Sequence, residues 1–141
     1  MLMKPVKQNI DLGIVVSDAT ECLHFYRDIL GLEKTEEITM GLGTLHRLQY
    51  GNSDIKLLVP KQPKERGPEG LQAQEGIRYF TMVISNLNEV VAKLKEENVP
   101  FEIPLTEIRP GTTIAMVKDP AGNVLEFVER GYQYLSRELS F

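Results

Sequence analysis

Cysteine is almost absent from this chain. With Cys22 alone, no intrachain disulfide can form, and nothing in the cysteine usage argues for an oxidising compartment. Long apolar runs are missing too, since no stretch approaches the ~20 residues of a membrane span. The opening MLMKPVKQNI lacks the apolar centre of a signal peptide. These two absences predict a cytoplasmic protein that engages no membrane. Positive charge is in short supply, with 16 Lys and Arg against 20 Asp and Glu and a net charge of −4. Without a basic stripe there is no footprint for a phosphate backbone, which argues against a nucleic-acid partner. Gly41 and Gly43 are too sparse for a phosphate-cradling loop and suit a turn instead. Otherwise the composition, 42% hydrophobic and 26% charged over 141 residues, suits one compact domain or two small modules sharing a core.

What the chain does have is one plan written twice. Residues 14–33 read IVVSDATECLHFYRDILGLE, and residues 82–102 read MVISNLNEVVAKLKEENVPFE. Each copy is an apolar run, a polar helix start, an amphipathic helix and a turn. Asp18 with Glu21, and Asn86 with Glu89, have the spacing of capping boxes. Cys22, Leu23, Tyr26, Ile29 and Leu30 recur at three and four, giving the first helix a packing face that Gly31 ends. Alternating segments predict strands at 9–16, 33–40, 45–50 and 55–59, and again at 77–85, 101–108, 112–118 and 123–129. Pro104 makes the 101–108 strand an edge, and Asp119-Pro120-Ala121-Gly122 turns the last hairpin. The 61–76 segment, with two prolines and three glycines, reads as a solvated connection rather than a lid. The expected fold is α+β, with two tandem βαβββ modules (about 9–60 and 77–130) forming a curved mixed sheet around a cleft. An amphipathic tail at 131–141 completes the chain.

Alternation along each strand sorts its side chains into two faces. Leu12, Ile14, Val16, Ile55, Leu57 and Val59 are expected against the first helix. Phe80, Met82, Ile84, Leu125 and Phe127 are expected to pack likewise in the second half. A hairpin that pairs Tyr50 with Ile55 places Gln49 beside Lys56 and Arg47 beside Leu58. The opposite face then collects Asp11, Arg47, Gln49, Lys56, Tyr79 and Glu126. Charges in mid-strand are costly to bury unpaired, so this face is expected to be wetted and to bind a ligand. Arg109, beside the turn at Gly111, is a further candidate for an anionic ligand. His24 is expected on the surface, and His46 on the helix-facing side as a structural residue.

Two motifs carry a resemblance. Val16-Ser17-Asp18 followed by Phe25-Tyr26-Arg27-Asp28-Ile29-Leu30-Gly31-Leu32, and Asp119-Pro120-Ala121-Gly122-Asn123-Val124-Leu125-Glu126, resemble the signatures of the vicinal oxygen chelate superfamily. That superfamily includes glyoxalase I, extradiol dioxygenases, fosfomycin-resistance enzymes and bleomycin-binding proteins. The resemblance implies paired βαβββ modules, within a chain or across a dimer, and it implies a homodimer here. In metal-dependent members it implies His or Glu ligands on the first and fourth strands of each module. The matching positions are Asp11, Lys56, Tyr79 and Glu126, of which only Glu126 is the usual type, and Lys56 brings a cation where a metal would sit. The expectation is therefore a small-molecule-binding protein with no metal or other cofactor, in which Lys56 takes the metal's place. One carboxylate of the site is then expected to have a raised pKa. The alternatives are a lyase or isomerase that moves a proton through Asp11 or Glu126 with Lys56 and Tyr79, and a metal-dependent glyoxalase or dioxygenase with a divalent cation held by Asp11 and Glu126.

Overall fold

A computed structural model describes residues 1–131; the tail predicted at 131–141 lies outside the described residues from position 132 onward. The chain divides into two compact units, one ending at Glu65 and the other beginning at Arg66. The first holds β1 (Leu12–Val15), a helix α1, β2 (Glu33–Met40), β3 (Gly43–Tyr50) and β4 (Ser53–Pro60). The second holds β5 (Tyr79–Val83), α2 (Leu87–Glu96), β6 (Phe101–Arg109), β7 (Thr112–Lys118) and β8 (Val124–Arg130). Each unit is a four-stranded mixed sheet, ordered β1-β4-β3-β2 in one and β5-β8-β7-β6 in the other. Both βαβββ repeats therefore form with the same strand order, and the α+β class stands. Among the described residues no helix is long and apolar enough to cross a membrane.

In the first unit Ile14, Val16, Ile55 and Leu57 are buried while Val15 is 58% exposed, the sidedness that the alternation predicts. The Asp18 carboxylate caps α1 by accepting from the Thr20 N–H at 2.8 Å. The helix is α-helical over Ala19–Leu23 and then widens to a π-helix over His24–Ile29. Its last turn closes through the Leu30 N–H on the Phe25 carbonyl at 3.0 Å, a five-residue step. Cys22, Phe25 and Tyr26 are buried, the two rings meeting edge to face at 4.9 Å. Gly31 ends the helix at φ +85.

The β3–β4 hairpin corrects the expected register by two residues. Tyr50 pairs with Ser53, so Arg47 lies opposite Lys56 and Gln49 opposite Asp54. The reason is a two-residue turn, Gly51-Asn52, in place of a four-residue one. Gly51 at φ +56 supplies the positive φ that a tight hairpin turn requires.

In the second unit Met82, Leu125 and Phe127 are buried, as are Leu87, Val91 and Leu94 of α2. The cap of α2 differs from expectation. The Asn86 side chain makes no capping bond and instead donates to Glu89 Oε2 at 3.1 Å. The Leu87 N–H is satisfied by Glu129 Oε1 of β8 at 2.9 Å, so a carboxylate remote in sequence replaces the local cap. β6 is an edge strand whose pairing with β7 shifts between Ile103 and Thr106, around Pro104. The β7–β8 turn is organised by Asp119, which is 3% exposed. Its carboxylate accepts from the N–H groups of Ala121 (2.9 Å) and Asn123 (2.8 Å) and from the Asn123 amide (3.0 Å). The connection before β5 is not solvated throughout. Leu71 packs against the cluster of Ile114, Met116, Val124 and Val128, while Ile77 is exposed.

Candidate functional site

The parallel pairing of first and fourth strands sets the site register in each unit. In the first, Leu12 lies opposite Ile55 and Gly13 opposite Lys56, which puts Asp11 at the level of Asp54. The Asp54 N–H donates to Asp11 Oδ1 at 2.8 Å, and Lys7 Nζ donates to the same oxygen. The Lys7 hydrogen bond first, and the Asp54 amide second, hold the Asp11 carboxyl below the usual carboxylate range. The raised pKa expected of one carboxylate is therefore not found at Asp11. Its ionised form is already partnered.

Lys56 is half-buried in mid-strand, with Gly13 on one side and Arg47 on the other. Among the described residues it forms no ion pair. Arg47 turns instead to Asp54, its NH1 lying 2.8 Å from Oδ2, and this bond raises the Arg47 pKa above its ordinary value. Gln49 donates to the Gly51 carbonyl at 3.0 Å. Both residues proposed for ligand contact thus serve their own hairpin in this conformation.

In the second unit Tyr79 pairs with Val124 and Thr81 with Glu126. Thr81 Oγ1 donates to Glu126 Oε1 at 2.8 Å. Tyr79 is 48% exposed one strand away. Val124 and Val128 flank Glu126 on its own strand at two-residue spacing, on the same face. Across β7, Met116 lies opposite Glu126 and Ile114 opposite Val128. These four apolar residues are buried and form one cluster, with Val83 and Ile103 packed on it. The half-site is a carboxylate, oriented by a hydroxyl, in an apolar surround. Sequence reasoning missed Thr81. The signal was present in the repeat, because Thr81 stands 68 residues after Gly13 and Gly13 is the neighbour of Lys56.

Arg109 is not brought to this half-site. It ends β6, with Nε 3.4 Å from Thr112 Oγ1. Thr112 is four residues along β7 from Met116, about 13 Å at ~3.3 Å per residue.

The strand orders, the paired repeats and the two motifs now meet an independent comparison. The model of the Glyoxalase/Bleomycin resistance protein/Dioxygenase superfamily matches residues 10–127. The chain belongs to that superfamily. YurT, an uncharacterized protein of Bacillus subtilis, is 24% identical over 122 residues, covering 84% of this chain and 95% of YurT. A glyoxalase family protein from Enterococcus faecalis superposes with a TM-score of 0.71 at 24% identity, over 88% of this chain and 98% of that one. The trypanothione-dependent glyoxalase I of Leishmania major gives 0.69 at 20% identity, over 92% and 90% of the two chains. The fosfomycin resistance protein FosX of Listeria monocytogenes gives 0.67 at 11% identity, over 92% and 98%. At these identities the likeness establishes the fold and no more.

Superfamily members often use a metal, and the donor set here is a poor fit to one. The first unit offers the Asp11 carboxylate and the Lys56 ammonium, the second the Tyr79 phenol and the Glu126 carboxylate, and the Asp11 carboxylate is committed to Lys7 and the Asp54 amide. Among the described residues no three His, Cys, Asp or Glu side chains gather into a metal-holding group. The histidines lie elsewhere. His24 is exposed beside Asp28, 3.3 Å away, and His46 is buried on β3 opposite Leu57 and Glu37.

Proposed function

We propose that this superfamily member binds a small organic molecule through its own charged groups, with Glu126 of β8 as the recognition residue of the second unit, Lys56 of β4 as that of the first, and no metal at either. The observation that carries this reading is the Glu126 half-site. Among the described residues, a carboxylate set amid buried Val124, Val128, Met116 and Ile114 has one side-chain partner, the Thr81 hydroxyl. It retains acceptor capacity for a donor group on an otherwise apolar ligand. Lys56 supplies the opposite preference, for an acceptor or anionic group. Tyr79 adds an exposed ring and hydroxyl one strand from Glu126.

The experiment is a fragment screen by thermal shift, followed by titration of the best ligand into Glu126→Gln and Lys56→Met proteins. Each variant is expected to weaken binding at least about tenfold, the cost of one charge-assisted hydrogen bond. Unchanged affinity in both would refute the assignment. A second reading, proton transfer in a lyase or isomerase reaction, is favoured by one feature, the Thr81 bond that orients Glu126. Glu126 is the base in this reading, because Asp11 is already engaged by Lys7 and the Asp54 amide. Under this reading Glu126→Gln abolishes turnover while binding survives. Superfamily members often dimerise, and we place this chain in a homodimer as well. Light scattering at micromolar concentration tests that assignment.

A further inference from the structure

The segment from Arg66 to Gly76 has the composition of an exposed connection, yet it is fastened at three points, one on strand β6, one on the residue before β5 and one on the β7–β8 turn. The Leu71 N–H donates to Glu102 Oε1 at 2.9 Å, and Glu102 is itself held by Lys118 at 3.6 Å. The Pro68 carbonyl accepts from the Arg78 guanidinium at 3.3 Å. The Glu69 side chain lies against Gly122 so closely that a Cβ there would be 2.6 Å from it. The Leu71 side chain packs on the cluster of Ile114, Met116, Val124 and Val128. These residues alternate with Ala115, Val117, Leu125 and Phe127, so they occupy the sheet face that carries Glu126. The residues on either side of Leu71 carry no comparable contact, and positions 72–77 are exposed. Gly70 at φ +108 and Gly76 at φ +120 place conformationally permissive residues at both ends of the exposed stretch.

A single leucine inserted from a polar segment is a small apolar ligand that the chain carries itself. We propose that segment 66–76 is a strap that closes the apolar part of the Glu126 half-site, with Leu71 standing where the apolar group of the ligand binds and Glu102 acting as its latch. This rests on the reading of the Glu126 face as a binding surface, and it sharpens the ligand class. The place that Leu71 fills takes an uncharged group about the size of a branched aliphatic chain or one aromatic ring. A ligand must therefore pair such a group with a donor for Glu126. The strap is held by one side chain and a few hydrogen bonds, so it opens without unfolding the sheet beneath.

The test uses the full chain and a neutral probe of one aromatic ring, benzyl alcohol, with binding read by NMR chemical-shift titration. Leu71→Ala is expected to bind the probe at least tenfold more tightly than the unaltered protein, because the place is vacated. Glu102→Ala keeps Leu71 and removes its acceptor, so it should tighten binding severalfold. Hydrogen exchange on the unaltered protein adds a readout without mutation. The Leu71 amide should exchange slowly in the free protein and lose its protection when the probe saturates. Equal or weaker probe binding by Leu71→Ala overturns the strap, and so does a Leu71 amide indifferent to saturating probe. The proposed function fails separately, when a screened ligand is indifferent to Glu126→Gln.

Discussion

Asp119→Ala should destabilise the fold by about 3 kcal/mol, a value that follows from the three hydrogen bonds its carboxylate accepts from residues 121–123. The carboxylate is almost fully buried and accepts from two backbone N–H groups and one side-chain amide, at 2.8 to 3.0 Å. Its removal leaves those donors without an acceptor, at ~1–3 kcal/mol for each buried group left unpaired. Residues 121–123 are only half-buried, so water recovers part of the loss, and the net falls near the lower end of the sum. For a chain of this length the change lowers Tm by about 10 °C. Asp119→Asn keeps one carbonyl acceptor and should cost roughly half as much. Urea denaturation with the m-value held constant measures both. A loss below about 1 kcal/mol for the alanine variant would refute the idea that this turn is built around one buried carboxylate. The consequence reaches the site, since the turn delivers the strand that carries Glu126.

Three further outcomes are expected. Gly43→Ala should cost at least about 2 kcal/mol in the same assay, because φ is +140 and the added Cβ would stand 2.1 Å from the Val59 carbonyl oxygen. Burial, then the Lys34 cation, lower the pKa of His46, and Glu37 only partly offsets them. A depressed histidine pKa leaves this contribution to stability intact above the unfolded value near 6.5. It is lost as pH falls below that value toward the lower folded one, and the slope of stability below about pH 6.5 should shrink in His46→Gln. The lowered pKa of Asp11 has the carboxylate sign, stabilising above its unfolded value and fading as pH falls through the folded one. Lys7→Ala should move the Asp11 carboxyl back up toward 3.8 in an NMR titration.

Elements and faces were legible because they depend on neighbours in sequence. Alternation assigned Ile14, Leu57, Met82 and Phe127 to the core, and the repeat assigned the same βαβββ element order to both halves. Features set by a distant partner were not legible. The cap of α2 is Glu129, 42 residues from Leu87, and no local pattern announces it. The β3–β4 register turned on whether the hairpin turn spans two residues or four, a choice that Gly51-Asn52-Ser53-Asp54 leaves open. A π-helix of six residues is too short for its periodicity to stand apart from 3.6. The site positions followed from strand alternation, but their partners did not. Lys7 reaches Asp11 from a segment without regular structure, Thr81 looks like any strand threonine, and Leu71 is a lone apolar residue in a polar run.

The most direct test of the account is the affinity of a screened ligand measured by calorimetry, with and without a strong chelator. Recognition by Glu126 and Lys56 predicts the same dissociation constant in both buffers, and at least tenfold weaker binding by Glu126→Gln. Binding that disappears with the chelator and returns with a divalent cation would contradict it.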